Sequence, residues 1–433
     1  MSNGADSISI RQLRLFDSVS ASGGICRASQ ECKMSQPAVT QALAKLEEQV
    51  GAQLVQRGAR GSSLSDNGVV FHRRVRRFLD QAEFAIRELG SAHTAAAEQA
   101  MLQRMTRSQF RILIALVEHR SVERASAAIG ISVPSLLRIA HALEADLQAK
   151  LIERTAEGAL MSAAGMRLGR RIKLATKEIV WGIDEVRASV AANGCEVVIG
   201  ARPNGGTVLL ASVLDEFLRR HPDVSVRVEN KSAEQMADGL ATGDVDFVVG
   251  LLSDHVGDDL VSEPLLSTPY LVAMRKGHAL ADKAAVTMDD LLAHQWVIGA
   301  VGSSRRDYFD RVFAGKRRPS IQIASCAVGV TRQLLMISDR LTLLTSYELE
   351  HIDELAAVPL DLAIPGPSIG ITTRAGWLPT TLHEELITTI RAGLAKSAPE
   401  AGMSRQDSAR LRRRAMPRLV DRKAMPRVAR WRH

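Results

Sequence analysis

The sequence predicts a multidomain protein: two tandem, mainly helical domains, each running into a long linker helix, then a two-lobed α/β domain and a basic tail. Three observations predict this. The chain has 433 residues, which at roughly 100 to 200 residues per domain allows two to four domains. Residues 10–89 align without gaps with residues 107–186 at a shift of 97, and 20 of those 80 positions are identical. From Cys195 onward apolar strand-like segments alternate with helical ones, the pattern of layered α/β domains.

Composition sets the boundaries. Hydrophobic residues at 46% and charged residues at 24% match a chain that buries a core. Aromatics are only 4%, which disfavours stacking platforms for unpaired bases. The net charge of +8 is unevenly spread: residues 1–194 carry an excess of seven basic residues, 195–395 an excess of eight acidic ones, and 396–433 an excess of nine basic ones. A basic front is expected to meet a polyanion. No apolar run approaches the roughly 18 residues of a membrane span. Residues 1–10 carry Asp6 and no basic residue, unlike a secretory signal, so a cytoplasmic, nucleoid-associated location is expected. Cys26, Cys32, Cys195 and Cys326 are too scattered for a disulfide framework or a zinc site. No cofactor and no metal are expected.

In the first repeat, Leu13, Phe16 and Val19 recur at helical spacing, which predicts a helix from Arg11 to about Ser20, ended by Gly23 and Gly24. A short helix from Ile25 to Cys32 follows, then a tight turn at Lys33 and Met34. Ser35 offers an N-cap oxygen and Pro37 suits a first turn, so a third helix starts there. Val39, Leu43, Leu46 and Val50 line its buried face and leave Gln36, Thr40, Gln41 and Lys45 on others. The glycines of Gln56-Arg57-Gly58-Ala59-Arg60-Gly61 permit a hairpin, a basic wing. After Gly68, Phe71, Val75, Phe78, Ala82, Ile86 and Leu89 follow heptad-like spacing, repeated by Leu168, Ile172, Ala175, Ile179, Ile183 and Val186. Two such seams predict a helix-to-helix contact.

The stretch MSQPAVTQALAKLEEQVGAQLVQRGARGSSLSDNG, within Arg11 to Leu64, closely resembles the winged helix-turn-helix of LysR-type transcriptional regulators. The Ser-Gln-Pro-Ala-Val start, the Leu-Glu-Glu helix end, the Gln-Leu strand and the Arg-Gly wing occur in order. The resemblance covers nearly all of the chain except the tail; the second winged helix departs from the usual architecture. It implies contact with an operator through Ser35, Gln36, Pro37, Thr40, Gln41 and Arg60, with base edges read from the N-terminal part of the third helix. The plainer reading of Ser35 and Pro37 is cap and helix start alone; contact with DNA is the favoured one for the set. In the second copy Ser132, Ser135 and Arg138 occupy the corresponding region, but Val133 replaces Gln36 and Glu157 replaces Arg60. A carboxylate on the wing repels phosphate, although Arg138, in place of Gln41, offers a partner for guanine or phosphate; copy two is expected mainly to scaffold or dimerise while copy one reads sequence.

In the acidic half, CEVVIGA, VSVRVEN and DFVVGLL read as strands, with helices from Thr207 to Arg220 and Ala233 to Ala241. A second set follows: YLVAM, QWVIGA, a helix after Ser304, IQIAS, a helix from Gly329 to Ser338, and LTLLT. The IPGP run at Ile364 to Pro367 leads to SIGITT, a strand expected to return to the first lobe. A mostly parallel sheet is predicted. The pattern resembles the periplasmic-binding-protein-like (type 2) effector domain of the same family, whose ligands sit between the lobes, outside strand C-terminal ends. At those ends lie Arg202, Asn204, Ser232, Thr268, Gly302, Ser303 and Ser304. Helix N-termini favour anions, so an organic acid is the expected effector; capping is the equally ordinary reading of each Ser or Thr.

The domains are therefore expected at 8–67 and 105–164 (winged helices), 68–100 and 165–192 (linker helices), 195–395 (effector domain, with lobe 1 at 195–267 and 365–395 and lobe 2 at 268–364) and 396–433 (disordered basic tail). An enzyme is not expected, since no GxSxG, HExxH, Walker or GxGxxG pattern occurs. A transport binding protein would need a signal peptide and no winged helices. The resemblance implies double-stranded operator DNA, a small-molecule effector and RNA polymerase as partners, and a homodimer or homotetramer, with the extra copy letting one chain imitate a dimer. The alternative is an architectural DNA-binding protein with a vestigial effector domain.

Overall fold

The computed structural model describes residues 8–58, 61–90, 94–156, 158–188, 195–201, 207–252, 257–283, 286–325, 327–350, 352–360, 364–396 and 418–419. They form two compact units that divide near Cys195.

The first unit holds both repeats. Copy one comprises α1 (Ile10–Ser22), α2 (Ile25–Glu31), α3 (Gln36–Val50), the hairpin β1 (Val55–Gly58) and β2 (Gly61–Leu64), and the long α4 (Asp66–Arg87). After α5 (Ala95–Arg104), copy two repeats the series as α6 (Arg107–His119), α7 (Val122–Ile129), α8 (Val133–Leu147), β3 (Ile152–Thr155), β4 (Gly158–Met161) and α9 (Ala163–Ala188). Several residues shared by the repeats hold the fold together. Gln12 and Gln109 close capping boxes with Ser9 and Thr106 at the starts of α1 and α6. Glu47 Oε1 accepts from the backbone N–H groups of Leu54 (2.8 Å) and Val55 (2.9 Å). Glu144 Oε1 does the same for Leu151 (2.7 Å) and Ile152 (3.0 Å), so each third helix is pinned to its wing strand. At Gly68 and Gly165 an added Cβ would lie 2.0 Å from the Leu54 oxygen and 2.3 Å from that of Leu151. Only glycine lets each long helix start against that strand.

The seams of α4 and α9 pack on each other. Phe71, Val75, Phe78, Ala82 and Ile86 join Leu168, Ile172, Ala175, Ile179, Ile183 and Val186 in one apolar core, which also takes in Leu13, Phe16, Val39 and Leu46 of copy one and Phe110 of copy two. Burying each large apolar side chain contributes about 1.5–3 kcal/mol. Copy two keeps a second, smaller core around Ile112, Leu116, Leu136 and Ala140. The first linker is not the continuous helix expected over 68–100. It stops at Arg87, Gly90 takes a left-handed φ of 82°, and α5 restarts behind the Thr94 cap. An ion pair from Arg87 to the buried Glu98 (2.8 Å) folds α5 back onto α4.

The second unit contains β5 (Glu196–Ala201), α10 (Thr207–Arg220), β6 (Ser225–Glu229), α11 (Ala233–Thr242), β7 (Phe247–Leu251) and β8 (Leu260–Ser267). The second lobe adds β9 (Tyr270–Arg275), α12 (Met288–Leu292), β10 (Trp296–Ile298), α13 (Ser304–Val312), β11 (Ile321–Ala324), α14 (Val328–Met336), β12 (Thr342–Thr345), α15 (Ser346–Leu349) and β13 (Leu355–Pro359). β14 (Ser368–Arg374) and α16 (Thr381–Lys396) return to the first lobe, and β15 (Arg418–Leu419) ends the described chain. The first sheet has the order β15-β8-β14-β7-β5-β6; the second lobe has β12-β9-β13 and a parallel β10-β11 pair.

The sheets are mixed rather than mostly parallel. β5 and β7 run parallel, but β14 is antiparallel to β7 and β8, and β9 is antiparallel to β12 and β13. β8 carries the chain out of the first lobe and β14 brings it back, so the two run in opposite directions. β8 and β13 escaped the sequence pattern: Pro264 interrupts β8 and sits opposite Gly370, where the register shifts. Arg418–Leu419 of the tail pair antiparallel with β8, so this part of the tail is a strand where disorder was expected. The remaining tail residues lie outside the described residues.

Candidate nucleic-acid interface and effector site

On α3, Val39, Leu43, Leu46 and Val50 are buried, while Gln36, Pro37 and Gln41 are exposed and Thr40 is half-buried. Ser35 is exposed and caps the helix, accepting from the Ala38 N–H (3.4 Å). The Gln36 amide donates to Cys26 Sγ on α2 (3.2 Å). On α8, Ser132 caps and donates to Ser135 Oγ (3.0 Å), Val133 is half-buried, and Arg138 is exposed. Arg60 and Glu157, the two wing positions, lie outside the described residues, although both hairpins that carry them are formed.

The helix-to-helix contact expected from the two seams is formed between α4 and α9; what sequence reasoning missed is the set of polar contacts that joins them. Arg74 on α4 donates to Glu185 (2.7 Å) and Glu178 (2.9 Å) on α9, and Arg171 on α9 donates to Glu88 (3.0 Å) just beyond α4. Arg74–Glu185 and Arg171–Glu88 are images of one another under the 97-residue shift. So are two cation–π contacts, Arg74 over Trp181 (5.8 Å) and Arg171 over Phe84 (5.0 Å). Gln81 donates to Glu178 (3.1 Å), its own counterpart. The two helices therefore run antiparallel about a pseudo-twofold axis through Gln81 and Glu178, the relation an isologous dimer has between subunits. Each helix starts 15 residues from that axis, so at 1.5 Å per residue the two starts stand about 45 Å apart along the seam. A winged helix hangs from each.

In the second unit, the two chain crossings between lobes touch. Thr268 N–H donates to the Pro367 oxygen (2.9 Å), and a Cβ on Gly366 would lie 2.7 Å from Pro269 Cα. The buried Thr268 hydroxyl accepts from the Tyr347 N–H (3.2 Å) and meets Ser346 Oγ (3.1 Å), which ties the crossing to the start of α15. Ser303 caps α13, accepting from the Arg306 N–H (3.3 Å), after a turn in which Gly302 has φ 82°. Ser304 Oγ meets the Tyr270 hydroxyl (3.2 Å), whose acidity burial lowers. Arg305, buried behind them, pairs with Glu348 (3.2 Å). Thr268, Ser303 and Ser304 thus gather around β9, α13 and α15, where Tyr270 and Ser346 join them unanticipated. Ser232 is exposed and caps α11 through the Gln235 N–H (3.2 Å). Arg202 and Asn204 lie outside the described residues.

Residues 10–69 and again 107–166 match the model of the bacterial regulatory helix-turn-helix proteins of the lysR family, and residues 193–395 match the LysR substrate binding domain. The chain belongs to the LysR family of transcriptional regulators. It is a DNA-binding transcriptional regulator controlled by a small-molecule effector. It is 29% identical over 395 residues to the HTH-type transcriptional regulator GalR of Pseudomonas putida, covering 90% of this chain and 98% of that protein. That length accommodates both winged helices and the effector domain. With the dual regulator OxyR of Escherichia coli it shares 25% identity over 289 residues, 65% of this chain and 93% of OxyR. Similar solved structures include full-length CbnR complexed with its target DNA (TM-score 0.46, 18% identity, 66% of this chain and 98% of that one). A full-length OxyR variant from Pseudomonas aeruginosa scores 0.49 at 18% identity, covering 67% and 95%. No single described helix is long and apolar enough to cross a membrane.

Proposed function

We propose that one chain presents two non-equivalent winged helices to a single operator, copy one reading base sequence and copy two anchoring the backbone. The exposed polar start of α3, against the half-buried Val133 at the start of α8, carries this reading. Gln36, Thr40 and Gln41 face base edges in the major groove, Ser35 and Pro37 set the helix start, and Arg60 reaches phosphate from the wing. Ser132, Ser135 and Arg138 hold phosphate on the other half-site. The effector is an organic acid bound between the lobes by Arg202, Asn204, Ser232, Thr268 and the Gly302-Ser303-Ser304 turn. The regulator works in the cytoplasm on the nucleoid and catalyses no reaction.

The test is a footprint on DNA upstream of the protein's own gene, with Gln36→Ala and Arg138→Ala in the full chain. Point variants are needed because deleting copy one strips the buried face of α9. Loss of discrimination between specific and competitor DNA with Gln36→Ala, against a uniform loss of affinity with Arg138→Ala, supports the division of labour. Equal losses of discrimination overturn it.

A further inference from the structure

We infer that the α4–α9 seam is built to accept only the other copy within the same chain, so that one chain is a complete two-headed DNA-binding unit and assembly between chains uses other surfaces. The first argument is charge. Among the described ion pairs that bridge the two helices, those whose members are no more than about a third exposed take Arg74, Arg77 and Glu88 from copy one and Arg171, Glu178 and Glu185 from copy two. Three cations face three carboxylates. Pairing α9 with a second α9 sets two arginines against four carboxylates, because Leu174 stands where copy one has Arg77 and Glu178 where it has Gln81. Pairing α4 with a second α4 sets four arginines against two carboxylates. Glu178 is only 1% exposed, so an α9 pair would bury two like charges face to face on the axis, a repulsive element that excludes the wrong partner. Arg73, 56% exposed, also reaches Glu185 (3.8 Å), but it recurs as Arg170 and so does not discriminate.

Shape points the same way. A Cβ on Gly182 would lie 3.0 Å from Arg74 Cβ and 3.1 Å from Phe71 Cδ2. An α4 pair places Ala85, the counterpart of Gly182, against that same Arg74 and Phe71. Tethering adds to this selectivity: a short linker holds the second copy at an effective concentration on the order of millimolar, so exchange between chains is disfavoured at ordinary protein concentrations.

The test uses the full-length protein without DNA. In a background with Cys26, Cys32, Cys195 and Cys326 changed to Ala, Glu88→Cys and Arg171→Cys are placed in one chain, and also singly in two chains carrying different tags. A short bis-maleimide should close the double variant within the chain at every concentration, and should join neither the mixed single variants nor two copies of one variant. Circular dichroism and a footprint on the uncrosslinked variants establish that they are folded. A covalent dimer from the mixed single variants would show exchange between chains, and one from a single variant alone would show like-with-like pairing; either overturns the inference. Failure of the copy-one reading of DNA leaves this crosslinking result unaffected.

Discussion

Replacing Arg74 with Met and, separately, its counterpart Arg171 with Met asks what burial alone does to an ion pair, because residue, partner type and cation–π neighbour match. Arg74 is 0% exposed, with Glu178 at 1% and Glu185 at 7%, whereas Arg171 and Glu88 are 35% and 33% exposed. Removing one partner of a buried pair costs about 3–5 kcal/mol, chiefly by stranding the other charge. Glu178 retains Arg77 (3.0 Å) and Gln81 (3.1 Å), which places Arg74→Met at the lower end, about 3 kcal/mol. A half-exposed pair is worth about 0–1 kcal/mol, and Met keeps part of the contact with Phe84. At 1.4 kcal/mol per tenfold, amide-exchange protection of α4 and α9 should fall about 100-fold or more for Arg74→Met and less than about tenfold for Arg171→Met. Hydrogen–deuterium exchange of peptides from both helices measures this. Equal losses would refute the claim that burial distinguishes the two image pairs.

Gly68→Ala and Gly165→Ala should each destabilise their own winged helix by about 1–3 kcal/mol, since the new Cβ meets a strand carbonyl; a thermal melt unchanged by either substitution removes that role. The Glu144 carboxylate is held below its ordinary value of 4.5: burial pushes it up, but His141 and the Ile152 and Leu151 amides, with Lys150, outweigh it. Its stabilisation is thus complete above about pH 4.5 and lost as pH falls through the depressed value. Glu144→Gln should flatten the acid limb of stability against pH, measured by urea unfolding at a series of pH values. Burial, with Asp184 nearby, pushes the Cys195 thiol up to about 11, so iodoacetamide at pH 8 should alkylate the exposed Cys26 and Cys32 and spare Cys195. Mass spectrometry of tryptic peptides reads this, and rapid labelling of Cys195 counts against its burial.

The candidate sites were legible to different depths. The recognition helix was readable because Val39, Leu43, Leu46 and Val50 fix its buried face, and what they leave over, Gln36 and Gln41, is exposed. The effector side was less so. A Ser or Thr at a strand end reads alike whether it caps, braces or binds, and only the structure puts the Thr268 hydroxyl on Tyr347 and Ser346 and brings Tyr270 to Ser304.

The sequence by itself determined the duplication, both winged helices, the two apolar seams and the alternating elements of the acidic half, because each is written in local periodicity or in a shift that can be read along the chain. Tertiary structure decided that the seams close on one another within a chain, that Arg74 is buried while Arg171 is not, that the first linker breaks at Gly90, and that β14 returns antiparallel between β7 and β8. The physical reason is common to all four. An amphipathic stripe states that a face must be covered without stating by what. The covering partner, and with it the burial that turns an ordinary ion pair into a costly one to break, exists only once distant segments have met.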